Sequence, residues 1–199
     1  VAADLVGAGQ GRHLLAQAFE FALLTGDVAL ITRVGLRMVP FPMELTPEIL
    51  ESIGKLPLEA VRSSALLSLF AAAVAERAPR PDQSALELYR HAADAAHAST
   101  RNLRPTERII LLGIECYARQ HAGDTGTAAH TALAFADRAA VMITEHRVDP
   151  ELAHVFGHFV YQVAITLITA DAFAAAAALL THLEGYCLAN GIDYRRRFA

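Results

Sequence analysis

At 199 residues the chain is long enough for one substantial domain or one array of repeats with a sizeable core. A content of 54% hydrophobic and 19% charged residues excludes a disordered chain. The net charge is -4, with no dense cluster of Lys and Arg, which argues against direct contact with nucleic acid, because phosphate binding needs clustered cations.

In chain order, Gly7 to Gly11 (GAGQG) has the glycine content of a phosphate loop. No strand precedes it and no Lys-Ser/Thr follows, so it reads as a flexible entry into the first helix. Helical spacing predicts a first pair of helices over about 11–24 and 27–39, divided at Thr25-Gly26-Asp27 and ended by Pro40 and Pro42. Thr46-Pro47 starts a short helix, with Thr46 as N-cap and Pro47 as first residue, and Leu56-Pro57 ends it. A long helix over about 58–77 leads to the APRPD turn and a partner beginning near Asp82. Pro105 opens a helix broken at Gly123-Asp124, whose partner runs to about Arg147. Asp149-Pro150 starts the next, which turns at Ala170-Asp171 into a final helix ending near Asn190-Gly191. Strand signals are nearly absent, so the expected class is all-α, with about eight or nine helices.

The breaks share a logic. The first helix of each pair ends at Gly or Ala, and an Asp caps the N-terminus of the second through its carboxylate. The Asp positions 27, 82, 124 and 171 give an irregular period of forty-odd residues, as a stack of antiparallel helical hairpins produces. The apolar faces are wide. Ile109, Leu112 and Cys116 form one line beside Ile110, Gly113 and Tyr117. Val155, Phe159, Val163 and Leu167 form another, flanked by Phe156, Val160, Ala164 and Ile168. Such helices pack between neighbours.

From Phe159 to Leu180 the polar residues are only Gln162, Thr166, Thr169 and Asp171, so the segment resembles a membrane span. An Asp near the centre of a span costs roughly 2.5–3.5 kcal/mol on insertion scales, and a hairpin folding at Ala170-Asp171 accounts for the same letters. Cys116 and Cys187 sit in apolar helical patterns outside any Cys-x-x-Cys motif, and read as buried, reduced thiols of a cytoplasmic protein. No secretory signal peptide is visible. The opening Val and the closing IDYRRRFA suggest a piece of a longer chain.

Helical hairpins with a Gly-Asp turn and small residues after it, Ala128 and Ala129 or Ala174 to Ala178, resemble tetratricopeptide-type repeats. Gly113 and Gly157 stand where that repeat has a small residue in its first helix. The helices here are longer, and the repeat's usual aromatic positions are mostly not met. The order HLLAQAFEFALLTGDVALITRVGLRMV, a short helix, a Leu-Pro-x-Glu step at Leu56 to Glu59, an Arg-containing long helix and SALELYRHAADAA resembles the helical sensor region of large LuxR-type (MalT-like) bacterial regulators. The resemblance implies a right-handed superhelix of stacked hairpins over 1–199, flanked in the parent protein by a P-loop ATPase module and a helix-turn-helix. No G-x-x-x-x-G-K-[ST] occurs here, so no nucleotide cofactor is expected of this segment.

In tetratricopeptide-type stacks the first helices line a concave groove. Three polar stripes fall on such helices: His13, Gln17 and Glu20; Arg108, Glu115 and Arg119; His154, His158 and Gln162. The expectation is that Arg108, Glu115, Arg119, His154, His158 and Gln162 contact a small-molecule effector or a partner segment. The bland alternative makes Glu115 and Arg119 a solvent-exposed i, i+4 pair worth about 0.3–0.5 kcal/mol. His154 and His158 also have the i, i+4 spacing of two metal ligands, with His146 nearby, but the Glu of a zincin motif and an evident third ligand are missing. The basic run Arg195-Arg196-Arg197 reads as the start of a further helix. No catalytic arrangement is legible, so the expected role is binding without bond-making, with no membrane or direct nucleic-acid contact and with homo-oligomerisation open. A free-standing tetratricopeptide-like adaptor and a helical metal-dependent enzyme are the rival readings.

Overall fold

Glycine and aspartate divide the helices where the sequence places its breaks. The computed structural model describes residues 14, 17–38, 51, 53, 55–76, 83–99 and 103–189, and among them every regular element is helical. The GAGQG stretch, His13, Pro40, Pro42, Thr46-Pro47, the APRPD turn with Asp82, Asn190-Gly191 and the arginine run lie outside the described residues. The chain forms two compact units, 1–95 and 96–199.

In the first unit, α1 (17–25) and α2 (Val28–Met38) meet at Thr25-Gly26-Asp27. Gly26 takes φ +66°, a left-handed conformation that costs glycine nothing, and its N–H reaches the Leu23 carbonyl at 3.2 Å. The Thr25 hydroxyl donates to the Ala22 carbonyl at 2.7 Å, and the Asp27 carboxylate accepts from the Leu30 N–H at 3.2 Å as the N-cap of α2. The helix expected over 58–77 is two helices: α3 (Leu58–Ser63) and α4 (Ala65–Glu76), separated by Ser64 in an extended conformation (φ -115°, ψ 116°). Serine side chains supply the alternative bonds that permit the break. The Ser64 hydroxyl accepts from Leu67 N–H at 3.4 Å, and Ser68 donates to the Val61 carbonyl at 2.8 Å. α1, α2 and α4 close around Phe19, Gly35, Leu66 and Phe70, with the two Phe rings edge-on at 5.7 Å. α5 (Gln83–Ala98), which belongs to this unit as far as Ala95, is tied to the end of α4 by Tyr89, which donates to Glu76 at 2.7 Å.

The second unit contains α6 (Pro105–His121), α7 (Thr125–Thr144), a 3-10 turn at Pro150–Leu152, α8 (Ala153–Thr169) and α9 (Phe173–Ala189). Between α6 and α7, Gly123 (φ +81°) bonds the Gln120 carbonyl, Asp124 N–H bonds the Arg119 carbonyl at 2.9 Å, and the Asp124 carboxylate caps Thr127 N–H at 3.3 Å. Between α8 and α9 the expected cap is wrong. Asp171 itself adopts φ +58° and bonds the Ile168 carbonyl, while Ala172 N–H bonds the Leu167 carbonyl at 2.9 Å. Asp171 therefore stands where Gly123 stands, because Asp is among the few side chains that tolerate the left-handed region, and Ala172 occupies the capping position of Asp124. α7 ends at Thr144, earlier than expected, because His146 (φ +53°) makes the same kind of terminating turn, with Arg147 N–H on the Met142 carbonyl at 2.9 Å.

α6 packs on α7 and α8, α7 on α8 and α9, and α8 on α9. No comparably extensive contact joins α6 to α9, so the four helices form two layers, α6 with α8 and α7 with α9, and not a ring around one axis. Within the first layer the register is parallel. The Thr106 hydroxyl near the start of α6 accepts from Asp149 N–H at 2.9 Å, just before α8. At mid-helix a Cβ on Gly113 would lie 2.7 Å from Phe159 Cγ. Near the end, Thr166 hydrogen-bonds Gln120. The last two pairs are both 46 positions apart, so one shift relates the helices along their length. The second layer joins the first through rings: Phe135 of α7 stacks on Phe156 of α8 at 6.5 Å, and Tyr186 of α9 meets Phe156 edge-on at 6.0 Å.

The stretch Pro150–Thr169 is long and apolar enough to cross a bilayer by length and composition. Here the chain turns at Ala170-Asp171 as the hairpin reading expects, and Val155, Phe156, Phe159, Val160, Val163, Ala164 and Leu167 are buried against neighbouring helices.

Candidate functional site

The α6 stripe splits into two environments. Glu115 is buried, its side chain 6% exposed, and its Oε1 accepts from Arg119 Nε at 3.0 Å. The same oxygen meets His97 Nδ1, at the C-terminal end of α5, at 3.1 Å. Arg119, 18% exposed, also reaches the Asp124 carboxylate at 3.4 Å. The pair is thus not the solvent-exposed i, i+4 pair of the bland reading. It forms a chain of polar contacts from the exposed His97 through the buried Glu115 and the mostly buried Arg119 to the half-exposed Asp124 cap, which fixes the end of α6 against its turn. The bonds to Thr127, with Arg119 adding to them, hold the Asp124 carboxyl below its usual range.

Arg108 lies apart. Its guanidinium touches the Leu103 carbonyl at 3.4 Å and lines a cavity of about 640 Å³ between α6 and α7. The polar side chains lining that cavity also include Asp137 and Arg138 of α7 and Arg147 of the following turn.

On α8, His154 is exposed, while His158 and Gln162 are half-buried. The hydrogen bonds of Glu115 and Arg119 run to one another, His97 and Asp124, none to α8. The His158 ring lies edge-on to Phe159 at 5.5 Å, and burial pushes its pKa down to about 4, so the imidazole is neutral at pH 7. His146, the nearby His of the metal reading, sits in the left-handed turn that ends α7. Among the described residues no group of three His, Cys, Asp or Glu side chains is placed to hold a metal ion. Gln17 and Glu20 are exposed on α1.

Cys116 and Cys187 are free and buried. Burial raises the Cys116 thiol to about 11, and its S–H points to the Ala128 carbonyl at 3.6 Å, so it lacks the thiolate character a nucleophile needs.

Three features escaped the sequence reading. His97 completes the Glu115 network from 18 positions away. Arg138, Arg147 and Asp137 join Arg108 only because α6 and α7 fold together. The third feature is a repeated face. The two terminating turns place Gly123 and Asp171 in equivalent positions, 48 apart, and the same shift maps Thr106, Gly113 and Gln120 onto His154, Tyr161 and Ile168. The first three are the face by which α6 receives α8. The equivalent three on α8 are exposed, Tyr161 by 40% and Ile168 by 44%. Ile168, read from its spacing as a flank of the core line, thus belongs to a solvent-facing surface. No family model matches the chain, and no curated protein and no solved structure is significantly similar to it.

Proposed function

We propose that this chain is the effector- or partner-binding helical-repeat region of a LuxR-type, MalT-like transcriptional regulator of the cytoplasm, working by binding and not by bond-making. The observation that carries a binding role is the docking face of α6 repeated on α8 as exposed His154, Tyr161 and Ile168. An aromatic and a branched aliphatic side chain one helical heptad apart suit an amphipathic helix laid alongside α8, as α8 lies alongside α6. A partner that prefers one arrangement of the repeats shifts the regulator toward it by its differential affinity for the two states. The assignment to a LuxR-type regulator rests on the resemblance of the first half of the sequence.

The test places a photo-reactive phenylalanine analogue at Tyr161 in the parent protein and maps the cross-linked peptide by mass spectrometry. The expected product joins position 161 to a helical segment of a flanking module or partner, and Ile168→Glu removes it. Cross-linking that ignores Ile168→Glu, or the absence of any cross-link, overturns the assignment of this face. A P-loop upstream and a helix-turn-helix downstream in the parent gene separate the regulator from a free-standing adaptor.

A further inference from the structure

We infer that the cavity between α6 and α7 binds a small organic anion with an apolar body, through Arg108, Arg138 and Arg147. It deepens the proposed binding role by naming a ligand class, and it uses a surface distinct from the α8 face. The cavity is a recess open to solvent with a volume of about 640 Å³, in the roughly 300–1,000 Å³ range of small-molecule sites. Its floor is apolar: Ile109 and Met142 are 2% and 7% exposed, and Val141 presents 51% of its surface. Three guanidiniums and one carboxylate, Asp137, stand around that floor. A chain of net charge -4 thus gathers three arginines around a recess that also exposes apolar surface.

Most surface arginines are simply solvated, but these three come from three separate elements and are not spent on structure. The Arg138 side chain makes no hydrogen bond or ion pair with any described residue. Arg108 has only the long contact to the Leu103 carbonyl. Arg147 pairs with Glu145 at 2.9 Å, both side chains about half exposed, an arrangement that holds the guanidinium weakly. Its backbone is better fixed. The Arg147 N–H closes the α7 turn, its carbonyl accepts from Thr106 at 3.4 Å, and Asp149 N–H returns a bond to the same hydroxyl at 2.9 Å. The turn is thus anchored to α6 while the side chain is available. Guanidinium forks bind carboxylate and phosphate oxygens in pairs, and the floor accepts an aliphatic or aromatic body.

The test is calorimetric titration of the full chain at low salt with octanoate, octyl phosphate, octanol and acetate. Octanoate or octyl phosphate should bind saturably at one site, and the tighter of the two identifies the headgroup. Octanol, which lacks the charge, and acetate, which lacks the body, should bind at least about tenfold more weakly. Arg108→Gln and Arg138→Gln, both at exposed positions, should each weaken binding about tenfold with an unchanged unfolding midpoint. Octanoate and octyl phosphate binding no tighter than octanol and acetate, or binding that survives both arginine replacements, overturns the inference. The α8 face is tested separately. Ile168→Glu should leave anion binding intact, and Arg138→Gln should leave the Tyr161 cross-link intact, so one proposal can fail without the other.

Discussion

Replacing Gly113 by Ala should destabilise the protein although it improves the helix. At an ordinary mid-helix site Gly→Ala gains about 0.5–1 kcal/mol. At position 113 the new methyl would sit 2.7 Å from Phe159 Cγ and 2.8 Å from its Cβ and Cδ1. Those atoms cannot swing aside, since Cβ and Cγ lie at the root of the side chain and Phe159 is 1% exposed. Relief requires α8 to move away from α6, and forced overpacking of this kind costs about 1–3 kcal/mol. The net expectation is a loss of about 1–2 kcal/mol. Gly185→Ala is the control: it lies within α9 with nothing inside 4 Å of the added methyl, and should gain about 0.5–1 kcal/mol. Urea denaturation followed by circular dichroism reads both, and a double-mutant cycle with Phe159→Leu isolates the pair, whose coupling should exceed about 1 kcal/mol. Gly113→Ala as stabilising as Gly185→Ala would refute the close approach of α6 and α8.

The corrected turn gives a second contrast: Asp171→Gly should stabilise by about 0.5–1 kcal/mol because φ is +58°, whereas Asp124→Ala should cost about 1 kcal/mol through the lost cap, both read by urea titration. His158 has a folded pKa of about 4 against 6.5 unfolded, so the unfolded chain binds the proton first. Its contribution is complete above about pH 6.5 and is lost as pH falls toward 4. Discounted for a half-buried ring, the loss is about 1–3 kcal/mol, and His158→Gln should flatten the stability–pH curve over that window. Glu115→Ala should cost about 2–3 kcal/mol, since it strips the partly buried Arg119 of its closest carboxylate, and thermal unfolding measures it. Iodoacetamide should label Cys116 only after unfolding, as mass spectrometry of native and urea-treated protein can show.

What could be read from the sequence was local chemistry. Gly26 and Gly123 mark turns because only glycine enters the left-handed region without strain, and Asp27 and Asp124 mark helix starts because a carboxylate one residue later reaches the free N–H groups. Asp171 misled for the same reason: without a glycine at this turn, the aspartate took the left-handed position, and sequence does not distinguish the two uses of one side chain. The break at Ser64 carries no Pro or Gly and depends on Ser68 reaching back to Val61. The candidate sites were less legible because they are tertiary. Helical spacing aligns Arg108, Glu115 and Arg119, yet it says nothing of His97, which shares the Glu115 carboxylate with Arg119, or of α7, whose arginine shares a cavity with Arg108. The exposure of Tyr161 and Ile168 emerges only once the 48-residue equivalence of the turns is laid over the 46-residue contact register.

The parallel layering of α6 and α8 underlies the repeated face, and cysteine cross-linking measures it. With Cys116 and Cys187 replaced by Ala, Gln120→Cys and Thr166→Cys occupy positions whose native side chains hydrogen-bond, whereas Thr106 lies about 21 Å further along α6 at 1.5 Å per residue. Mild oxidation should join positions 120 and 166 within one chain, read as a mobility shift and a disulfide-linked peptide, and should leave the 106–166 cysteine pair open. A 106–166 disulfide with no 120–166 product would mean that the two helices run in opposite directions, and the face assigned to partners on α8 would not exist.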